Sequence, residues 1–400
     1  MIARLLSSAR EVTMDKLIFP EKTDDWQILL TFLPVGWQSK ARELGAIQRY
    51  RNFENPETLL RILFIHLADG CSLRETATRA KHGNLAKVSD VALLKRLKVA
   101  GPWLQWMAAG VMAKWIAQQP AAIFGDQFRI RIIDGSTIQE PGSTGSTWRI
   151  HYSTILSSLQ CNEVHVTSPQ IGESFKRFTV RTDDLFLGDR GYAHREGIKY
   201  VLQHGGQVLV RINLTNLPLV DEGGTAFPLL DKLNTLTGNK LGDWAVRVPC
   251  GDQLIAGRIC ALKKSQAAAE RAQRKALQES RKKGHTPKPE TIQSAAYTFV
   301  FTTLKREEFS PAKVLEMYRG RWQIEIVFKR LKSLLGLGHL KKTDEEGAKA
   351  WLQGKLLVAF LIESLMVAAE RFFPWGFPLE SDVAPEQKPV EGNLAHVAPF

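Results

Sequence analysis

The stretch Tyr318–Lys332, YRGRWQIEIVFKRLK, constrains the fold more than any other part of the chain. It lacks proline, its only glycine is Gly320, and apolar residues recur around it at Met317, Ile324, Phe328, Leu331 and Leu335. At about 100° per residue these fall on one broad helical face, which must be buried against something. Tyr318, Arg321, Glu325 and Lys332 fall beside that face. From Tyr318 their offsets of 3, 7 and 14 correspond to roughly 300°, 340° and 320°, so all four lie within about 60° of one another. A solvated helix face spreads its charges more widely. This grouping suits a phosphate-bearing polymer lying along a helix, with one carboxylate free to hold a metal. A face of i,i+4 salt bridges reads equally well from the same geometry.

The spacing Tyr-x2-Arg-x3-Glu-x6-Lys resembles the Y-R-E-K signature of IS4-family DDE transposases, and Tyr318, Arg321, Glu325 and Lys332 fit it without a gap. The resemblance implies two further acidic residues upstream, each at the end of a strand. FRIRIID (128–134) is a β-branched apolar run ending in Asp134, and DLFLGDRGY (184–192) carries Asp189 where its apolar run ends. An aspartate at a strand end is often a turn former or a helix cap. Strand ends are also where site residues of α/β folds gather. The IDGS and GDRGY contexts resemble the two Asp motifs of the same family. Three separated motifs thus occur in the expected order over residues 125–345.

Composition agrees with a polyanionic partner. Lys plus Arg is 54 against 41 for Asp plus Glu, a formal charge of +13, which favours association with nucleic acid. Cys71, Cys161, Cys250 and Cys260 have no C-x-x-C spacing, so they read as small apolar residues in a reducing compartment. The first 16 residues lack an apolar core of signal-peptide length. LLVAFLI (356–362) is too short to span a bilayer. The expectation is a soluble cytoplasmic protein associated with the nucleoid, with no membrane partner.

The coarse division has five parts. Residues 1–120 read as helical and as the DNA-end-binding region. Within them Ser72 and Ser89 are candidate caps for two helices over 71–80 and 88–100, and Glu75 completes a capping box. Arg74, Arg79, Lys81, Lys95, Arg96 and Lys98 make the pair resemble a helix-turn-helix module. Residues 125–204 are the first part of an α/β catalytic domain, with further strands at 147–154 and 163–168. Residues 205–295 read as a β-rich insertion between the fourth and fifth strands. They carry a basic arm, 263–288, with nine Lys or Arg against two Glu. Residues 296–345 complete the catalytic domain, beginning with a buried strand, and 346–400 form an amphipathic helix and a proline-containing tail, loose from residue 374.

The family resemblance implies an RNase H-like mixed sheet. It assigns Asp134, Asp189 and Glu325 as the catalytic triad, holding two Mg²⁺ or Mn²⁺ ions for phosphoryl transfer on DNA. It assigns Tyr318, Arg321 and Lys332 to DNA phosphates, with Arg190, Arg319, Lys329 and Arg330 as further backbone contacts. Trp244 is a candidate to hold a flipped base. The implied function is that of an insertion-sequence transposase, which binds terminal inverted repeats, cuts strand ends and joins them to target DNA, at least as a homodimer. The alternatives are a nuclease of the same fold without strand transfer, and a catalytically inactive DNA-binding regulator.

Overall fold

A computed structural model describes residues 25–48, 53–117, 127–140, 142–145, 147–282, 284–334, 336–337, 340 and 344–372. The N-terminal 24 residues, Leu335 and the tail from residue 374 lie outside them. The chain divides into two units, 1–111 with 356–379, and 112–355 with 380–400.

The first unit is helical: α1 (Asp25–Thr31), α2 (Trp37–Glu43), α3 (Pro56–Leu67), α4 (Leu73–His82) and most of α5 (Asp90–Ala117). Ser72 Oγ accepts from Glu75 N at 3.1 Å and Ser89 Oγ from Ala92 N at 3.2 Å, so both expected caps form. The second helix of the expected pair does not stop at residue 100. It continues as the 28-residue α5 with Pro102 inside it. Tertiary packing overrides the break, because Trp103, Leu104 and Met107 are fully buried and Trp103 Nε1 donates to Trp37 O at 2.7 Å. Two of the basic residues are engaged internally. Arg79 pairs with Glu75 and Asp69, and Arg96 donates to Ala46 O at 2.8 Å and lies over the Phe53 ring.

The second unit is built on one eight-stranded mixed sheet of order β3-β2-β1-β4-β5-β8-β7-β6. The strands are β1 (Arg129–Ile138), β2 (Trp148–Ile155), β3 (Cys161–Thr167), β4 (Asp184–Gly188), β5 (Gln207–Arg211), β6 (Gly242–Cys250), β7 (Gln253–Lys263) and β8 (Tyr297–Thr302). β1, β4 and β5 run parallel, and every other pairing is antiparallel. β4, β5 and β8 are near-continuous apolar runs because both faces of the sheet are covered. Alternation sorts their side chains. Phe186, Val208 and Val210 pack with α6 (Arg195–Gln203) on one face. Leu185, Leu187 and Leu209 pack with α10 (Pro311–Arg319) on the other.

Gln207–Arg211, read from the sequence as the start of an insertion, is hydrogen-bonded parallel to β4 as a central strand. The β6–β7 hairpin likewise extends the same sheet through β8. What leaves the sheet is the run after β5 with α7 (Leu229–Asn234), and the segment between β7 and β8 with α8 (Gln266–Lys282) and α9 (Pro289–Ser294). No residue of α8 is buried. Trp244 packs on Phe227, 6.5 Å between ring centroids, against the core.

Among the described residues one helix is long and apolar enough to cross a membrane, Glu345–Ala368 within α12 (Glu345–Phe372). The seven-residue run judged too short continues into a longer apolar helix. Of its most apolar window 72% is buried inside the protein, the pattern of a core helix. All four cysteines are free and buried.

Candidate active site

β1 and β4 are held in register by a buried ion network. Arg131, 1% exposed, donates to Asp184 Oδ2 at 3.0 Å and to Glu163 Oε2 at 2.8 Å, and its guanidinium lies 4.6 Å from the Phe186 ring centroid. Arg129 adds a second bond to Asp184, which is itself fully buried. The parallel pairing these residues fix ends at Ile133↔Gly188. The next residue on each strand is Asp134 and Asp189. Neighbouring strands lie about 4.8 Å apart, so the register sets the two aspartates side by side. Asp134 is not at the end of its strand, as expected from the sequence. β1 continues to Ile138 because β2 pairs with it along Asp134–Ile138. Only the parallel partner stops, and this exposes the Asp134 edge toward Asp189.

Asp189 then turns the chain. Its Oδ1 accepts from Gly191 N at 2.7 Å and starts a 3₁₀ turn, Arg190–Tyr192. Asp134 Oδ1 accepts from Gly135 N at 2.8 Å. Burial first, and then the Asp189 charge, push the Asp134 carboxyl up to about 7.

The third carboxylate arrives from the other side of the connection. The helical run through Tyr318 is not one regular α-helix. After α10 come a 3₁₀ turn at Gly320–Trp322, α11 (Gln323–Lys329) and a π-helical turn at Arg330–Leu334. A 3₁₀ turn advances about 120° per residue and a π turn less than an α turn, so the wheel angles drawn for a uniform helix do not hold along its length. Gly320 permits a close approach. A Cβ there would stand 3.0 Å from the Leu156 methyls, so the run passes close over the end of β2. The apolar seam still buries Met317, Ile324 and Leu331, and Phe328 meets Tyr152 edge-on.

On this run Arg321 joins the acids. Its Nη2 donates to Glu325 Oε1 at 3.0 Å and its Nη1 lies 3.5 Å from Asp134 Oδ2. The Arg321 side chain is 17% exposed and that of Glu325 66%. The i,i+4 pair forms, and the same guanidinium also reaches Asp134, so it bridges Asp134 and Glu325. Among the described residues no three His, Cys, Asp or Glu side chains stand close enough, as they are, to hold a metal ion. The donor set nevertheless fits a hard cation. Asp134 and Asp189 are oxygen donors side by side, one of them driven toward protonation, and Arg321 alone compensates Asp134 at contact range.

Lys332 Nζ donates to Thr137 O at 2.8 Å, which ties the π turn to β1 three residues past Asp134. Burial lowers the Lys332 ammonium from its ordinary value. Tyr318 is 5% exposed, its hydroxyl has no hydrogen-bond partner, and burial raises it. Arg319, Lys329 and Arg330 are exposed.

A cavity of about 710 Å³ opens beside these groups, with Asp189, Arg190, Tyr318 and Arg321 on one side and Lys275 of α8 on another. Arg211 and Lys264, neither predicted from the sequence, also line it. Burial and then Arg190 lower the Arg211 guanidinium, and burial with Arg211 and Arg190 brings Lys264 down to about 8. A cavity that already crowds cations against one another suits a polyanion. Sequence reasoning also missed Glu173, whose carboxylate packs against Gly135 and Gly191. The paired glycines of IDGS and GDRGY were the available signal.

The family described as "Transposase DDE domain" matches residues 126–361, which contain all three acids. The putative transposase InsL for insertion sequence element IS186A of Escherichia coli (strain K12) is 33% identical over 361 residues, covering 88% of this chain and 96% of the relative. The transposase for insertion sequence element IS421 of Escherichia coli is 33% identical over 362 residues with the same coverage. The transposase for insertion sequence element IS231F of Bacillus thuringiensis subsp. israelensis is 28% identical over 204 residues, 47% of this chain and 43% of the relative. Together with a mixed sheet that sets Asp134 beside Asp189, these similarities show that the chain belongs to the DDE transposase family.

Proposed function

We propose that this DDE transposase binds the terminal inverted repeats of an insertion sequence, cleaves strand ends hydrolytically and joins them to target DNA, with Asp134, Asp189 and Glu325 as its catalytic and metal-holding acids. The observation that carries the reading is the bridge. Arg321 spans Asp134 and Glu325, residues 191 positions apart in sequence, beside an aspartate fixed next to Asp134 by strand register. The strand order β3-β2-β1-β4-β5, with β1, β4 and β5 parallel, supports an RNase H-like core. Asp134, Asp189 and Glu325 would hold Mg²⁺ or Mn²⁺, two ions in the family's usual count. The bound metal supplies Lewis-acid activation of water or a 3′-hydroxyl and stabilises the leaving oxygen.

The chain's own side chains do the positioning. Arg321 holds the acids together before DNA arrives, and its fork also suits a phosphate. Arg190, Arg211 and Lys264 line the adjoining cavity and hold the DNA backbone there, with the Tyr318 hydroxyl unpaired at its wall. Lys332 fixes the helical run to β1 and so sets the reach of Glu325. Arg319, Lys329 and Arg330 are exposed backbone contacts. The helical region 1–120 recognises the repeat, 125–204 and 296–345 together with β5 and the β6–β7 hairpin form the catalytic domain, and the segments between them that leave the sheet, with the arm 263–288, embrace DNA. The rest, 346–400, is a helix and a tail. Bringing two element ends together requires at least a homodimer, acting at the nucleoid in the cytoplasm.

Strand transfer with pre-cut ends in Mg²⁺ tests this. Joining of a labelled terminal duplex to a supercoiled plasmid supports the transposase. Hydrolysis with no joined product would leave a nuclease, and repeat binding with neither reaction would leave a regulator.

A further inference from the structure

We propose that Glu173 is a fourth acidic residue of this site, a carboxylate ligand that shares a divalent cation with Asp189. The proposal rests on the reading of Asp189 as a metal-holding residue. Glu173 lies in the connection from β3 to β4, two residues before Phe175. Phe175 is fully buried, 5.1 Å from the Tyr192 ring centroid and 5.4 Å from that of Phe186, and this pins the connection beneath the strand ends. Ser174 Oγ caps the 3₁₀ turn that follows by accepting from Lys176 N at 3.3 Å. Glu173 is thereby pressed against the backbone that immediately follows each aspartate. A Cβ on Gly135 would meet Glu173 Oε1 at 2.7 Å. A Cβ on Gly191 would take the place of Glu173 Oε2, and Asp189 Oδ1 lies 3.1 Å from that same position. Both positions must be glycine for the carboxylate to sit there.

Among the described residues Glu173 has no hydrogen bond and no ion pair. Arg149 and His194 act on it only through space. Two half-buried carboxylates brought to one position repel each other unless they share a cation. A second observation points the same way. Tyr192 is fully buried, its hydroxyl has no hydrogen-bond partner, and its acidic neighbours, in order of effect, are Glu173, Asp134 and Asp189. A hydroxyl left unpaired among three carboxylates suits a site whose remaining partners are a hydrated cation and its waters. Hard oxygen ligands from carboxylates select Mg²⁺ or Mn²⁺ over softer-ligand metals.

The test is calorimetric titration of the metal-stripped full-length chain with Mn²⁺, without DNA. Glu173→Gln keeps the shape and removes the charge. Gly135→Ala leaves Glu173 intact and displaces its carboxylate. Each should weaken Mn²⁺ binding about tenfold or more, as should Asp189→Asn, while far-ultraviolet circular dichroism matches the parent. Parental affinity in Glu173→Gln beside weakened Asp189→Asn would overturn the proposal and leave the metal role of Asp189 standing, because a packing role for Glu173 survives the glutamine. Parental affinity in both would overturn the metal reading of Asp189, and the proposal with it.

Discussion

Replacing Asp134 with Asn should stabilise the metal-free protein, by an amount that depends on pH. The Asp134 carboxyl is raised to about 7 from an ordinary 3.8. A raised acid favours the folded state only while protonated. Its contribution is complete below about pH 4 and is lost as pH rises through about 7. At 1.36 kcal/mol per unit, the raised value costs the folded state about 4 kcal/mol above pH 8, where the group ionises in place, and about 2 kcal/mol at pH 5.5, where only the unfolded chain ionises it. Asn removes that cost. It also keeps the bond from Gly135 N, since the amide oxygen replaces the carboxylate oxygen that accepts it. What Asn gives up is the 3.5 Å approach of Arg321, an ion pair weakened by its length. For a unit of this size 4 kcal/mol corresponds to a shift on the order of 10 °C. The assay is thermal unfolding of parent and Asp134→Asn in chelator at pH 5.5 and 8.5. The midpoint gain should be about twice as large at the higher pH. It should shrink in 10 mM Mg²⁺, where the cation stabilises the parent by mass action. A variant less stable than the parent at pH 8.5, or a gain independent of pH, would refute the reasoning.

Four other variants read separate parts of the account. Asp184→Asn takes from the buried Arg131 one of its two carboxylates, leaving Glu163, and should destabilise the protein by about 1–3 kcal/mol, seen as an early unfolding midpoint in chelator as well as in Mg²⁺. Arg321→Ala and Lys332→Ala should lose cleavage and strand transfer while binding Mn²⁺ at least as well as the parent, by the same calorimetric titration. Deleting Gln266–Lys282 should weaken DNA binding and reduce the slope of log K against log salt by about 0.9 for each phosphate that the arm neutralises, whereas an unchanged slope would mark the arm as solvated.

What could be read from the sequence was what depends on local chemistry. Ser72 and Ser89 cap as their positions imply, and the strands follow apolar runs, most of them β-branched. Strand register sets Asp134 beside Asp189, and Arg321 touches both Asp134 and Glu325, although no local signal joins them; the family spacing supplied that link. What could not be read depends on packing between distant segments. Arg131 and Asp184 look like an ordinary strand charge and an ordinary turn residue until β1 pairs with β4. The helical run through Glu325 is broken by Gly320 passing over Leu156 and by Lys332 reaching Thr137 O. Periodicity registers neither event. Glu173 sits in an irregular connection, and only Phe175 burying itself beneath Tyr192 brings it to the strand ends. The helix after Ser89 outruns its Gly-Pro break because Trp103 and Met107 are drawn into the core.

The most direct test of the central claim is strand cleavage of a repeat-containing duplex in Mg²⁺ by Asp134→Asn, Asp189→Asn and Glu325→Gln, each beside a mobility shift on the same duplex. Each substitution changes charge with little change in volume. Binding should stay near the parental level, or tighten slightly as negative charge beside the DNA is removed, and cleavage should be abolished in all three. Any one of them cutting at the parental rate would contradict the account.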